Sequence, residues 1–337
     1  MRPRNPFAIT FVFRFSRDVG FNKCHFLIVM FVFGRYANAQ SFEEENVPIL
    51  FAPQIISTDQ IESGPLTFSE DGRYVYFSVW APDHSVSVLC ESELVAGQWT
   101  EPRILPFSGK FRDNHPFISH DGKKLFFSSD RPKNEKSNIP KDCDIWFAEK
   151  QNGGWAVPQR LGDSINSPFN EYSPCVTLAN TIYFTRLSPE MARGGEIYYS
   201  DFANGYFNKA KRLENDSINS TRHEWHVYVT ANGKYMFFTT LDKAGAGGGE
   251  DLFISIRKDK VWQNPVPFPF NGLHHDYLAS LGHDGKYFYF VSEREDLQLK
   301  RPVNNYGDFM KALRSPANGR SDFYFIEFDV LLKKLKI

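Results

Sequence analysis

Ile118-Ser-His-Asp-Gly-Lys-Lys-Leu-Phe-Phe-Ser128 reads as a strand, a tight turn and a second strand. Asp121-Gly122 supplies the positive φ that a two-residue hairpin turn requires. The same grammar recurs in Phe68-Ser-Glu-Asp-Gly-Arg-Tyr-Val-Tyr-Phe-Ser78, Val229-Thr-Ala-Asn-Gly-Lys-Tyr-Met-Phe-Phe-Thr239 and Leu281-Gly-His-Asp-Gly-Lys-Tyr-Phe-Tyr-Phe-Val291. A fifth copy, Val176-Thr-Leu-Ala-Asn-Thr-Ile-Tyr-Phe-Thr185, turns on Ala179-Asn180, where Asn still tolerates the left-handed region.

Working outward from each hairpin, a variable loop leads to a third strand. These are Val86–Leu89, Asp144–Phe147, Glu196–Tyr199, Asp251–Ile254 and Asp322–Phe325. A fourth element follows four of them, as in Trp99-Thr-Glu-Pro-Arg-Ile-Leu105 and Trp155-Ala-Val-Pro-Gln-Arg-Leu161. Proline inside a strand is tolerated only at an edge, so this element is the outer strand. Four antiparallel strands repeated at about 50 residues make a β-propeller blade. The fifth copy lacks its outer strand, and Phe51-Ala-Pro-Gln-Ile-Ile56 offers it from the opposite end of the sequence. The expectation is an all-β fold: a single five-bladed propeller of four-stranded antiparallel blades spanning 46–330, closed by an N-terminal strand. Residues 331–337 would be a C-terminal tail.

Residues 1–39 read differently. Lys23 precedes an apolar run, Phe26 to Phe33, and Ala37-Asn38-Ala39 precedes Gln40, the pattern of an export signal with a long leader. Residues 40–45 then serve as a linker. The expectation is export to the periplasm or beyond, with no transmembrane anchor, because no apolar run reaches the roughly 18 residues that span a bilayer. Over the whole chain, 39 Lys and Arg oppose 40 Asp and Glu, which gives no nucleic-acid footprint. Cys90, Cys143 and Cys175 remain after the signal, an odd number that leaves at least one free thiol and room for one disulfide.

Ser119-His-Asp-Gly-Lys-Lys-Leu-Phe-Phe-Ser-Ser-Asp-Arg131 and Asp144-Ile-Trp resemble the WD40-like propeller repeat of the Tol translocation protein B type. Glu171-Tyr-Ser-Pro, Gly247-Gly-Gly-Glu-Asp-Leu-Phe253 and Trp155-Ala-Val-Pro-Gln-Arg-Leu-Gly162 are similar to exported propellers common in Bacteroidota. The resemblance implies the fold and the export. It says little of activity, because such propellers serve as partner-binding modules, sensors and enzyme scaffolds.

Candidate site residues follow from the topology. The hairpin turns share one face, while the variable loops, longest at Arg294 to Ser321, share the other and mark it as the binding face. Counting back eight residues from each turn gives Ser63, Asp113, Glu171, Glu224 and Asp276, a ring at the channel mouth. Its four carboxylates are either acid/base groups of a carbohydrate-active hydrolase or lyase, or hydrogen-bond acceptors that belong to the fold. The repetition favours the second, since chemistry needs one acid and one base. His115, His223, His226, His274 and His275 lie nearby without a metal-ligand spacing, so no metal and no cofactor is expected. Asp144 is expected to pair with Arg131 across adjacent strands. The binding residues are expected to be His115, His226 and His275 at the mouth, with Arg301, Tyr306 and Phe309 from the long loop. The function expected is an exported, non-catalytic module that binds a protein or glycan partner. The alternatives are the carbohydrate-active enzyme and a structural subunit of a cell-envelope assembly.

Overall fold

The computed structural model describes residues 47–133, 142–151, 154–187, 194–220, 223–241, 249–297 and 302–337. The expected export signal and linker, residues 1–45, lie outside the described residues, as does Arg301.

Five antiparallel sheets form the ring of a five-bladed propeller. Their innermost strands are Ile61–Phe68, Asp113–Ile118, Asn170–Val176, Glu224–Val229 and Asp276–Leu281. The hairpin partners are Tyr74–Trp80, Lys124–Ser129, Thr181–Leu187, Tyr235–Leu241 and Tyr287–Ser292. Alternating aromatic and aliphatic residues on these strands pack between blades, so that Phe77, Phe127, Phe184, Phe237, Phe238 and Phe290 are each 1% exposed or less. The sequence is rich in aromatics, 16% of its residues with 33 Phe, and this is where many of them go: a propeller needs bulk between sheets that splay apart with radius.

In four blades the outer strand is broken into two short pieces on either side of a Pro or polar interruption. In blade 1, Gln98–Trp99 and Arg103–Ile104 both pair with Ser87–Val95, flanking Pro102. The second piece always ends in a buried apolar residue whose N–H reaches the third strand: Leu105 to Leu89, Leu161 to Ile145, Leu213 to Ile197 and Phe268 to Leu252.

In blade 5 the outer strand comes from the N-terminal side, and this closes the ring. Ile49–Leu50 pairs with Tyr324 and Phe325, and the Phe51 N–H donates to the Phe323 carbonyl at 2.8 Å. The pairing sits earlier than Phe51–Ile56, because Phe51 is the counterpart of Leu105 at the strand's end, not of Trp99 at its start. Residues 52–57 instead curl into a turn in which Ile56 is buried.

That turn belongs to a fivefold cap. Asn166 accepts from the Ile145 N–H at 2.7 Å and donates to the Ile145 and Leu161 carbonyls, and Asn219 does the same for Ile197 and Leu213. Asn271 serves Leu252, Ser108 serves Leu89, and Ser57 serves Phe323 in blade 5. Each connection between blades thus satisfies the exposed backbone of the third strand before the next inner strand begins.

Two helices complete the fold. Helix α1, Tyr306–Leu313, lies in the long insertion and is capped by Asn305, which accepts from the N–H groups of Gly307 and Asp308. Helix α2, Phe328–Leu335, follows the last strand directly and places the tail residues 331–335 against the ring. Leu331 is fully buried, and Phe328 meets Tyr235, Phe237 and Phe288 at 5.5, 6.4 and 6.4 Å between ring centroids. Cys90, Cys143 and Cys175 are buried free thiols, so the disulfide that their number allows does not form among them.

At the closure, Glu62 and Asp322 sit on strands of blades 1 and 5, with the Glu62 N–H on the Ser321 carbonyl at 3.1 Å. Burial raises the Glu62 carboxyl from 4.5 to about 8, with Asp322 adding to the rise, and raises Asp322 from 3.8 to about 7. An acid whose folded value lies above its unfolded one stabilises fully below the unfolded value, and that contribution is lost as pH rises through the folded one. The urea midpoint is therefore expected to fall between pH 5 and pH 8, and Glu62→Gln is expected to flatten the fall. A midpoint that rises over this range would contradict the assignment.

Candidate functional site

The inner strands share one irregularity. Each carries a bulge against its hairpin partner, and the bulged residue has a left-handed φ: Gly64 at 82°, His115 at 51°, Ser173 at 53°, His226 at 53° and Leu278 at 56°. A bulge turns one extra residue out of the ladder. In a propeller the only place for it is the central channel. In blade 1 a side chain is excluded, because a Cβ on Gly64 would stand 2.5 Å from the Ser78 hydroxyl and 3.1 Å from Pro116.

The acidic ring lies beside these bulges, and its members are consumed by the fold. Asp113 is fully buried, taking Arg131 at 2.7 Å and Ser108 at 2.8 Å. Glu171 takes Arg186 at 2.8 Å and Ser167, and Asp276 takes Arg294 at 2.8 Å and the Gly272 N–H at 2.6 Å. Glu224 takes the hydroxyl and N–H of Ser220. Burial pushes the Asp113 and Glu171 carboxyls up, and the neighbouring hydroxyls and guanidinium groups draw them back down.

The arginines are themselves fixed by aromatic neighbours. Arg131 stands over Phe127 and Trp146 at 5.0 and 5.3 Å, Arg186 over Tyr198 at 4.3 Å, and Arg294 over Tyr324 at 4.9 Å. The expected pairing of Asp144 with Arg131 is therefore not made. Asp144 takes Arg160 from the outer strand at 2.6 Å, since Arg131 already serves its own inner strand.

Blade 1 corrects the ring's membership. Ser63 is not the equivalent residue; Glu62 is, holding the hydroxyl and N–H of Thr58 four residues earlier, as Glu171 holds Ser167 and Glu224 holds Ser220. The extra residue in the blade 1 bulge shifts the count from eight to nine. The signal was present in sequence. Ser164-Ile-Asn-Ser167 precedes Glu171 and Ser217-Ile-Asn-Ser220 precedes Glu224, while Ile56-Ser-Thr58 precedes Glu62.

On the loop-bearing face the channel opens into a cavity of about 500 Å³, within the range that holds small ligands. His115 and His226 form its floor, their rings 5.0 Å apart, with Ser173 Oγ 3.2 Å from His226 Nδ1. Burial pushes His226 down to about 3 and His115 well down as well, so both imidazoles are neutral. Tyr172, Trp225, Tyr277 and Trp80 line the walls, and Glu250, Glu293, His275 and Arg320 stand around them. Below His226 the channel narrows to about 10 Å³ between Pro65, Pro174 and Leu278, room for at most one water. The cavity of about 340 Å³ on the hairpin face is separate and mainly apolar, lined by Leu66, Phe117, Tyr228 and Phe328.

The structure thus brings three of the expected binding residues, His115, His226 and His275, to one cavity. Tyr306 and Phe309 are not among its lining residues. They ride on α1 beside a different hollow of about 910 Å³, between the long insertion and the closing strand, and Tyr306 is 78% exposed. Asp113, Glu171, Glu224 and Asp276 do not line the cavity either. Sequence reasoning missed Trp80, Trp225, Tyr172, Tyr277, Glu250 and Glu293. Trp225 and Tyr277 each follow a ring carboxylate directly, and that adjacency was the available signal. No group of three or more His, Cys, Asp or Glu positioned for a metal occurs among the described residues.

No family model and no curated protein matches the sequence. Among solved structures, the chain is similar to a protein assigned as TolB from Agrobacterium tumefaciens, at 14% identity over 80% of this chain and 91% of that one, with a TM-score of 0.45. It is also similar to the periplasmic gluconolactonase PpgL of Pseudomonas aeruginosa, at 13% identity over 68% and 64%, with a TM-score of 0.41. A gluconolactonase from Xanthomonas campestris matches at 11% identity over 81% and 88%, with a TM-score of 0.40. Likenesses at this level carry nothing about activity. The fold assignment rests on the chain's own five sheets.

Proposed function

We propose that this protein is a non-catalytic binding module that takes its ligand in the channel mouth of the loop-bearing face. The observation that carries the reading is that the symmetric carboxylates are spent on hydrogen bonds and ion pairs, while the asymmetric residues converge on one cavity. Repeated positions hold the ring together. Positions whose residue changes from blade to blade are free to recognise something. The bulge adds to this, since a left-handed backbone at His115 and His226 holds both imidazoles in the channel at the expense of strain.

Export places the module outside the cytoplasm, with residues 1–39 as the signal and 46–330 as the working domain. No helix among the described residues is long and apolar enough to cross a membrane. A protein or glycan partner meets the loop face, and the part that enters the mouth is no larger than a sugar ring or a side chain.

A hydrolase reading survives in altered form. Its carboxylates would be Glu250 and Glu293, which the mouth does hold, with burial first and then Glu293 raising the Glu250 carboxyl. The two readings separate in a turnover screen with polysaccharides and peptides, run alongside equilibrium binding to an oligosaccharide and peptide array. The expected result is saturable binding that Trp225→Ala weakens at least tenfold, with no product formed. Turnover that Glu250→Gln abolishes would replace the binding reading with the enzymatic one.

A further inference from the structure

We infer that the group entering the channel mouth is an organic ammonium, such as a lysine side chain or a small amine. The inference rests on the reading of this cavity as the ligand site and names the chemistry of what fits it.

The walls are aromatic. Trp80, Tyr172, Trp225 and Tyr277 come from the inner and second strands of four blades and surround the same space. Such an enclosure attracts a cation through the negative faces of the rings. Aromatics alone would serve a sugar equally well, so the charges decide.

Two carboxylates share the cavity. Glu293 accepts from the hydroxyls of Tyr277 and Ser321, both at 3.4 Å, which leaves most of its capacity unused. Glu250 is largely buried, and no hydrogen bond reaches its carboxylate from the described residues. Burial and the neighbouring Glu293 push its carboxyl up while His275 draws it back down, so the mouth sets a largely buried acid beside a second carboxylate. A bound cation would supply a counter-charge to both carboxylates at once.

Nothing else in the lining competes for the role. The floor imidazoles are neutral, because burial holds His115 and His226 down. His275 accepts from the Glu250 N–H through Nδ1 at 3.1 Å. Arg320 is the lining guanidinium among the described residues. It is exposed at the rim and donates to the Asp59 carbonyl at 2.7 Å. His115, only 6% exposed, keeps Nδ1 without a hydrogen-bond partner among the described residues, as does the Trp225 indole N–H, so the lining offers a ligand both an imidazole nitrogen and a donor. An anion would meet two carboxylates inside and the Arg320 guanidinium at the rim; a neutral polyol would leave those carboxylates uncompensated.

Three probes of one size test this: benzylamine, charged at pH 7, benzyl alcohol and benzoate. Binding is read by ligand-observed NMR with the purified protein, and tryptophan quenching reports on Trp80 and Trp225. Benzylammonium is expected to bind at least tenfold tighter than benzyl alcohol, with benzoate weakest. Glu250→Gln and Glu293→Gln are each expected to weaken benzylammonium about tenfold and to leave benzyl alcohol unchanged. Trp80→Ala, on the rim, should weaken both the cation and the alcohol without touching a buried charge. The proposal is overturned if benzyl alcohol or benzoate binds as tightly as benzylammonium, if the Gln variants leave the cation's affinity intact while melting as the parent does, or if benzylammonium shows no binding at tens of millimolar. In each of those outcomes the array ligand lost in Trp225→Ala would still uphold the binding module. Turnover lost in Glu250→Gln would instead remove the module and leave the cation preference as substrate selectivity.

Discussion

Arg131→Met is expected to destabilise the protein by about 3–5 kcal/mol, the usual result of leaving a buried partner charge uncompensated. Asp113 has no exposed surface, so the carboxylate cannot turn to water when its guanidinium goes. The Ser108 and Ser129 hydroxyls would remain, and neither carries a compensating charge. The substitution keeps the aliphatic stem and removes the guanidinium, together with its stacking over Phe127 and Trp146. Urea unfolding followed by far-UV circular dichroism reads the loss. Because burial already pushes the Asp113 carboxyl up, the variant's deficit should shrink at acid pH, where protonation removes the stranded charge. Adding Asp113→Leu should recover most of the stability, since an apolar pair of similar volume often replaces a buried ion pair at little cost. A loss below about 1 kcal/mol would place Asp113 in contact with solvent and return it to the list of groups available for chemistry.

The second large effect is expected at the closure. Phe51 is 8% exposed and touches two blades: Phe68 and Trp99 in blade 1 at 6.2 and 5.8 Å, Tyr289 and Phe325 in blade 5 at 5.3 and 6.2 Å. All four contacts are edge-to-face, the favoured geometry, each adding about 0.5–1.5 kcal/mol beyond the area buried. Phe51→Ala is therefore expected to cost about 3–5 kcal/mol, at the upper end for a large-to-small core change. Since the ring joins its ends only here, the loss should also be local in character. Trp99 fluorescence should change at lower urea than the circular dichroism signal of the other blades. Coincident transitions with an unshifted midpoint would show that the ring holds without this residue.

The repeat in the sequence announced the blades because each hairpin solves the same local problem, and local problems leave local signatures. Asp-Gly turns, alternating Phe and Tyr, and a Pro in the outer strand needed no knowledge of neighbours. The closing strand was legible as to place in the chain but not as to register, because Pro53 imitates the Pro102 of a complete blade while Phe51 performs the task of Leu105. The site was harder. Trp80 and Glu250 stand near the ends of strands flanked by variable loops; the ring brings Trp80 beside His226 from another blade, and Glu250 reaches it from the third strand of the same blade. The acidic residues that stood out by repetition did so because the fold needs them. Of the acidic residues that face the cavity, Glu250 occurs once and Glu293 is matched by Asp130 of Ser129-Asp130-Arg131, too little repetition to stand out.

The closing strand also determines how the ring answers to force. Ile49–Leu50 runs antiparallel to the final strand, so the side at which the chain enters this ladder is also the side from which that strand continues into α2. Traction between residues 48 and 336 would peel this ladder one bond at a time, the weakest loading direction for paired strands, once α2 has let go. Under tension applied through the two ends of the domain, this two-residue ladder would be the first pairing to part.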